Sequence, residues 1–421
     1  MTPERARKLQ KSGEKCNNHF MNEGRDKALG IYLSVPFCRT KCTYCNFASG
    51  VYPQALQGRY VERLGADLQQ AGRQAEQLEV DLPRTVDSIY LGGGTPTLLS
   101  AAALKELFAT LRNEFTLAPS VEITLEAMPG EIADDVLEAM CAVGVNRISL
   151  GVQSFIDSEV RRTGRKHAHS TILNDLARLR SAGITNINLD LIAGLAGQTT
   201  SSWNASLDAL LAAEVPHASV YLLEVDEESR LGREVLAEGL RYHAAEVPGD
   251  DMMASFYERT ITRLSDAGMA QYEISNFSHP GFESQHNLRY WLRRPYLGIG
   301  LDASSALRCT HGTHAGQLLR TTTTSNLTSY LEGAPLEESN WQDTGAQQEE
   351  AWFLGLRRNA GVCVDTLTEE FGAAALAPSL RVAQKLADDE LLVMEGSNIR
   401  LTPRGRLLAN DVFAAFINPA E

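Results

Sequence analysis

Three cysteines within eight residues are the part of this 421-residue sequence with the clearest chemistry. Cys38, Cys42 and Cys45 follow one another with the spacing C-x3-C-x2-C. Three thiolates can bind three irons of a [4Fe–4S] cubane. The fourth iron then lacks a protein ligand and can take the amino and carboxylate groups of S-adenosylmethionine (SAM), whose sulfonium an electron from the cluster can cleave. The spacing therefore predicts one [4Fe–4S] cluster.

A structural zinc site is the alternative interpretation of these cysteines. Structural zinc prefers four protein ligands in a closed tetrahedron. Asn46 and Phe47 follow Cys45, and no fourth Cys or His lies at a short spacing. The sequence thus favours the cluster over zinc.

Composition limits the class of protein and its location. The formal net charge is −14, which argues against nonspecific binding to nucleic acid because that binding needs a basic surface. No stretch reaches the ~18–20 consecutive apolar residues of a membrane span. The N-terminal residues 2–15 lack the apolar core of a signal peptide, and the odd number of seven cysteines disfavours a secreted disulfide framework. We expect a cytoplasmic protein, with a surface contact to a membrane left open.

The elements that must position the cysteines alternate in type from residue 30 to about 275. Short apolar runs are predicted as strands at Ile31–Phe37, Ser88–Gly92, Glu122–Met128, Arg147–Gln153, Asn186–Ala193 and Ser219–Val225. Amphipathic stretches between them are predicted as helices at Leu56–Glu76, Ala101–Asn113, Ala133–Val143, Ser170–Ala182, Ser202–Ala213 and Asp250–Ala267. Such alternation predicts an α/β fold, a partial (β/α)6 barrel, with a doubly wound open sheet as the competing topology. The polar residues of interest follow strand ends, where βα barrels place their sites.

The composition also suggests a domain division. We expect an N-terminal extension at 1–27, a core at 28–310, a polar connector at 311–345 and a C-terminal α+β domain at 346–421. In the last domain, Pro378 suits a helix start. The predicted order is helices Ala346–Arg358, Val364–Phe371 and Ser379–Asp389, strands Leu391–Met394 and Ile399–Thr402, and a final helix from Pro403 to about Phe416. Helices around a small hairpin indicate a winged-helix-like arrangement.

The cysteine run, with Tyr44 before its last cysteine, resembles the radical SAM superfamily, and so does the glycine-rich stretch from Gly92 to Thr97. Glycines let main-chain groups approach a polar ligand closely, and the resemblance implies that Gly93, Gly94 and Thr95 contact SAM. Further resemblance is to the coproporphyrinogen oxidase group of that superfamily. The SAM contacts that it implies are Tyr32, Tyr44, Glu126, Gln153, Arg165 and Asp190.

Two functional types within that group differ in their motifs. The oxygen-independent coproporphyrinogen III oxidases carry a fourth cysteine, where this sequence has Phe47. The HemW-type heme chaperones have Phe there and a His-Asn-x-x-Tyr-Trp motif, which the stretch from His286 to Trp291 matches. The resemblance implies that His286 binds or lies near heme iron and that Tyr290 and Trp291 pack against the porphyrin. The alternative is that these three residues are structural.

Three functions of different classes follow. The first is a heme chaperone with a [4Fe–4S] cluster, SAM and heme, which passes heme to client hemoproteins, membrane respiratory enzymes among the candidates. The second is coproporphyrinogen oxidase, against which Phe47 counts. The third is nucleic-acid binding through Ser379–Asp389, which lacks a basic stripe. The sequence leaves open whether SAM is cleaved during function, whether the protein is a homodimer and what the electron donor is. At one position, Met128, it departs from the Asn usual in the group.

Overall fold

The structure is a computed structural model, and it describes residues 27–333 and 336–417. The predicted N-terminal extension therefore lies almost entirely outside the described residues. Within the described ranges, no helix is both long enough and apolar enough to cross a membrane.

Six parallel strands form the centre of the main sheet. They are β1 (Leu29–Val35), β2 (Thr85–Gly93), β3 (Thr116–Ala127), β4 (Arg147–Gln153), β5 (Asn186–Ala193) and β6 (His217–Leu222). Each pairs with the next in chain order, which is the topology of a barrel and not of a doubly wound sheet. Because one cavity is lined by residues of β2 to β6, the sheet curves around it. The predicted partial barrel is confirmed.

Helices cover the outside of these strands. They are α1 (Ala55–Gln77), α2 (Ala101–Glu114), α3 (Asp134–Ala142), α4 (Asp157–Arg162), α5 (His169–Ser181) and α6 (Thr200–Ala212), followed after β6 by α7 (Arg230–Leu236), which lies instead beside the cysteine loop, and by α8 (Asp250–Asp266), which again covers the strands. Most strand residues are buried, and their apolar side chains meet those of the helices in one core. Parallel strands buried on both faces explain why the sequence shows continuous apolar runs there.

The sheet continues past both ends of the parallel set. On one side the strands are β7 (Ala270–Gln271) and β8 (Asn276–Ser278), and on the other β9 (Tyr296–Ile299), β10 (Ser304–Arg308), β11 (Leu318–Thr323) and β12 (Leu336–Gln342). Two short helices accompany them, α9 (Gln285–Trp291) and α10 (Leu327–Leu331). The segment 311–345, predicted as a connector, therefore contributes two strands to the sheet. Its polar composition reflects an edge, since β12 is almost wholly exposed.

The C-terminal part forms a separate core around a three-stranded antiparallel sheet. Its elements are α11 (Thr344–Leu356), β13 (Val362–Cys363), α12 (Val364–Phe371), α13 (Ala373–Asp388), β14 (Leu392–Glu395), β15 (Asn398–Leu401), α14 (Pro403–Leu407) and α15 (Ala409–Ala414). This order of helices and strands is winged-helix-like, as predicted.

Three local predictions in this part are wrong. Pro378 lies inside α13, because the helix begins after Gly372, whose φ of 85° ends α12. A third strand, β13, joins the predicted hairpin. The single final helix is two short ones, interrupted at Leu408.

Candidate metal and cofactor site

A cavity of about 320 Å³ opens at the carboxyl ends of the parallel strands. Its volume lies in the range of small-molecule sites. Eleven of the predicted site residues line it, namely Cys38, Cys42, Tyr44, Cys45, Gly93, Gly94, Thr95, Glu126, Gln153, Arg165 and Asp190. The structure thus brings together residues that the sequence spreads over more than a hundred positions.

The cysteine loop that follows β1 is held at both of its ends. The Cys38 amide donates to the Gly50 carbonyl (2.9 Å), and the Gly50 amide donates to the Pro36 carbonyl (2.8 Å), so the loop returns to the strand from which it leaves. In the middle of the loop, the Thr43 amide donates to the Thr163 carbonyl after α4 (3.0 Å). Burial raises the pKa of the Cys38 thiol, and hydrogen bonding by the Ser49 hydroxyl lowers that pKa in part. The main chain therefore fixes where the three thiols stand.

The glycine-rich turn after β2 packs directly against the base of this loop. The Gly94 amide donates to the Val35 carbonyl (2.8 Å) and the Thr95 amide to the Phe37 carbonyl (2.7 Å). A Cβ on Gly94 would lie 2.7 Å from the Val35 oxygen, closer than van der Waals contact allows. Gly93 has φ of 96°, in the left-handed region that favours glycine. Glycine is needed here to let two chain segments and a ligand share the space.

Two acidic side chains, Glu126 and Asp190, face the cavity from β3 and β5. The Glu126 carboxyl accepts from the Tyr90 hydroxyl (2.9 Å) and from the Gly93 amide (3.2 Å). Burial, together with the charge of Asp190, raises the pKa of Glu126 to about 7. Burial also raises the pKa of Asp190, although Asn188 and Ser149 hydrogen-bond its oxygens. Two such carboxyls in a cavity are suited to ligand hydroxyls or to a cation.

Gln153 and Arg165 complete the wall from β4 and the segment after α4. Gln153 has a φ of 67° at a register shift at the end of β4, and a non-glycine residue there stores strain of the kind found at ligand sites. The Arg165 guanidinium donates to the Cys42 sulfur (3.2 Å) and to the Gly151 carbonyl. Arg165 therefore stands between the thiols and the strand ends.

The motif from His286 to Trp291 lies at the other end of the barrel. Glu122 on β3 caps the start of α9, because its carboxylate accepts from the amides of Gln285 and His286 (both 3.0 Å). His286 is 1% exposed, and burial lowers its pKa to about 3. Ser88, its partner on β2, lies five residues before the strand ends at the cavity. The helix therefore closes the barrel below the cavity, with the Tyr32 and Tyr90 rings against the imidazole.

Trp291, the last residue of that helix, contacts the C-terminal part. The Arg357 guanidinium lies 4.4 Å from the centre of the Trp291 ring, a cation–π contact. Beside it, the Ile274 amide donates to the Arg357 carbonyl and the Asn359 amide to the Tyr272 carbonyl. The structure thus places the motif at the joint between the barrel and the C-terminal domain.

Sequence reasoning missed several residues of the cavity wall. Tyr90 lies inside β2, while Tyr221, Leu222 and Asp226 lie at and after the end of β6. The rule that placed the other site residues at strand ends, applied to β6, would have found the last three. Tyr90 carries no signal in the sequence, because its neighbour Glu126 comes from another strand.

The thiols that line the cavity fit an iron–sulfur cluster better than a single metal ion. Within the described residues, no three His, Cys, Asp or Glu side chains converge on one point as a single metal ion requires. A cubane needs no such convergence, because each thiolate binds a different iron. The buried hydroxyls of Tyr44 and Thr95 also line the cavity beside the thiols. The site fits a cluster with a polar ligand beside it.

Comparisons with known proteins agree with this arrangement. The radical SAM superfamily model matches residues 32–210, and the HemN C-terminal domain model matches residues 346–408. The heme chaperone HemW of Lactococcus lactis is 33% identical over 394 residues, which cover 93% of this chain and 98% of that protein. The heme chaperone HemW of Bacillus subtilis is 34% identical over 396 residues, covering 92% and 98%.

A solved structure extends the comparison to the fold. The coproporphyrinogen III oxidase HemN from Escherichia coli has a TM-score of 0.78 and 24% sequence identity, with coverage of 92% of this chain and 90% of that one. At this identity the likeness shows a shared fold, including the C-terminal part.

Proposed function

This chain belongs to the HemW family of radical SAM proteins, and from that membership we propose that it is a heme chaperone. It binds heme and delivers it to client hemoproteins, with a [4Fe–4S] cluster and SAM as its resident cofactors. The alternative, coproporphyrinogen oxidase, shares the fold but differs at the entrance of the cavity.

The observation that carries the proposal is a pair of exposed apolar side chains that line the cavity, Phe47 and Leu222, which we call its apolar entrance. Phe47, at the position where the oxidase pattern has a fourth cysteine, is 63% exposed. Leu222, at the end of β6, is 37% exposed. Exposed aromatic and aliphatic side chains beside a cavity are suited to contact with a flat apolar ligand such as a porphyrin. We therefore place heme over this entrance.

Within the cavity, the chain's own groups hold and orient the cofactors. Cys38, Cys42 and Cys45 would ligate three irons, and the carboxyls of Glu126 and Asp190 would accept hydrogen bonds from ribose hydroxyls. When bound, the cluster and SAM supply one-electron cleavage of a sulfonium. Arg165, which donates to Cys42, keeps a positive charge beside the thiolates.

The motif from His286 to Trp291 is our second candidate for heme contact. A neutral imidazole is the form that binds iron, and the low pKa of His286 keeps it neutral. Iron binding through Nε2 would require the imidazole to leave Tyr290, and heme would have to enter where α9 closes the barrel. Trp291 and Tyr290 are only partly buried. Variants at both places separate the two candidate sites.

Partners and location are further parts of this proposal. We propose client hemoproteins, with membrane respiratory enzymes as the first to test, and a cytoplasmic location with transient contact to the membrane surface. A homodimer and the identity of the electron donor are parts of this proposal that need their own measurements.

Product analysis separates the chaperone from the oxidase. The reconstituted, reduced protein is incubated anaerobically with SAM and coproporphyrinogen III, and the porphyrins are separated by their number of carboxyl groups. In parallel, the heme-loaded protein is mixed with an apo-hemoprotein and the transfer is followed by absorbance. We expect heme transfer and no loss of propionate carboxyls. Decarboxylated product would replace the chaperone proposal with the oxidase.

A further inference from the structure

Lys41, the residue before the second cysteine, connects two segments of the cysteine loop through its side chain. Its ammonium donates to the main-chain oxygens of Phe47 (2.5 Å) and Ser49 (2.9 Å). A third contact, of 3.5 Å, reaches the Ser49 hydroxyl. These contacts join the segment between the first two cysteines to the segment after the third, so the loop becomes a closed ring around the thiols.

The Ser49 hydroxyl links this ring to the thiols themselves. It is buried and lies 3.9 Å from the Cys45 sulfur. Because the Lys41 ammonium can only donate, the hydroxyl accepts from it and keeps its own proton for that sulfur. The lysine therefore orients a hydrogen-bond donor toward the Cys45 thiol.

We propose that Lys41 is a positioning residue for the iron–sulfur cluster, which holds Ser49 beside the Cys45 thiolate and stabilises the reduced form of the cluster. The inference rests on the cluster that the proposed function assigns to Cys38, Cys42 and Cys45. Lys41 touches neither the cluster irons nor a substrate in this account, and it acts through Ser49 and through its charge.

The electrostatic reason is simple. Reduction by one electron adds one negative charge to a centre already surrounded by thiolates, and a nearby ammonium stabilises the more negative state. Hydrogen bonds to cluster sulfurs act in the same direction, since they spread the added charge. Removal of either contribution makes the cluster harder to reduce.

A matched control lies two residues away in the same loop. The Arg39 side chain carries the same charge but is 64% exposed, and its guanidinium lies 3.8 Å from the Glu131 carboxylate. Solvent screens such an exposed charge and its partner neutralises it. A comparison of variants at Lys41 and Arg39 therefore distinguishes a charge that is hydrogen-bonded to the loop from one that is exposed to solvent.

The experiment uses the full-length protein with Lys41→Met, Lys41→Arg, Ser49→Ala and Arg39→Met. Each variant is reconstituted anaerobically, its iron and sulfide are counted, and the cluster is titrated with dithionite while the EPR signal of the reduced form is followed. We expect Lys41→Met and Ser49→Ala to shift the midpoint potential to more negative values. Lys41→Arg should remain closer to the parent, and Arg39→Met should match it.

Each outcome decides the inference. An intact cluster with the parent potential in both Lys41→Met and Ser49→Ala would overturn it, and so would an equal shift in Arg39→Met. If Lys41→Met retains no cluster, Ser49→Ala alone carries the potential measurement, and a parent-like value there overturns the inference. Absence of any cluster in the parent protein would instead sink the cofactor assignment of the proposed function.

Discussion

The imidazole Nε2 of His286 lies 2.9 Å from the hydroxyl of Tyr290, one helical turn further along α9. The other ring nitrogen, Nδ1, lies 3.0 Å from the hydroxyl of Ser88 on β2. Both nitrogens of this buried ring are therefore hydrogen-bonded within the protein. In the same helix, the guanidinium of Arg289 pairs with Asp87 and is buried. These contacts make the motif a plug that closes the barrel at the end opposite the cavity.

This geometry predicts a large effect of His286→Ala on folding. The substitution leaves the Ser88 and Tyr290 hydroxyls without their shared partner and opens a void in the barrel. Losses of this kind cost about 2–4 kcal/mol. Denaturant unfolding of the cofactor-free protein should show a reduced midpoint with an unchanged slope.

His311→Ala is the matched control, because that imidazole is 63% exposed and makes one contact of 3.5 Å with Asp81. It should change stability by less than about 0.5 kcal/mol. A stable His286→Ala protein that has lost heme binding would contradict the plug and favour the motif as the heme site.

A second prediction concerns Glu126 and pH. Its folded-state pKa, about 7, lies above the ordinary value of 4.5 because of burial and Asp190. The unfolded chain therefore loses this proton at lower pH than the folded chain does. The group thus costs stability as pH rises from 4.5 through about 7, by up to about 3 kcal/mol.

Glu126→Gln should remove that pH dependence. We expect the free energy of unfolding of the variant, measured by urea at pH 5 and pH 8, to exceed that of the parent only at the higher pH. The same variant should bind SAM more weakly at pH 8, by about tenfold or more, because the carboxylate no longer accepts from the ligand. An equal stability difference at both pH values would show that Glu126 does not titrate in this range.

A third prediction tests the contact between the glycine-rich turn and the cysteine loop. In Gly94→Ala, the added Cβ meets the main-chain oxygens of Val35 and Phe37 at 2.7 and 2.8 Å. The backbone cannot yield there without separating β1 from β2, so we expect a loss of about 2–3 kcal/mol and impaired cluster incorporation. Iron content after reconstitution and urea unfolding measure both effects.

Gly58→Ala serves as the control for that glycine. It lies in α1 with nothing within 4 Å of an added Cβ, so alanine should stabilise the helix by up to about 1 kcal/mol. Equal iron content and stability in Gly94→Ala and the parent would show that the close approach does not matter.

The sequence predicted the parallel part of the fold well, and for a physical reason. The strands Arg147–Gln153 and Asn186–Ala193 have the predicted bounds, because their buried Ile, Leu and Val side chains recur at every second position, as in a strand. The edge strand β12 was missed, since an exposed strand has no such pattern. Pro378 favours a helix start in the sequence, but it lies in the second turn of α13, where it removes one main-chain hydrogen bond without ending the helix.

The site residues also divide into those that the sequence predicted and those that it did not. The residues at strand ends, such as Glu126 and Asp190, converge as predicted because parallel strands share one edge. The position of His286 was not predictable, because its partner Ser88 is 198 positions away and comes from a different strand. Long-range pairing of this kind leaves no local periodicity in the sequence.

The central claim, heme bound over the apolar entrance, is tested most directly by titrating the reconstituted protein with heme and following the Soret band. Phe47→Ala and Val51→Ala form a matched pair, since both side chains are 63% exposed in one loop but only Phe47 lines the cavity. We predict saturation near one heme per chain, about tenfold weaker binding in Phe47→Ala, and parent-like binding in Val51→Ala. Saturable binding unaffected by Phe47→Ala, or no specific heme binding, would contradict the account.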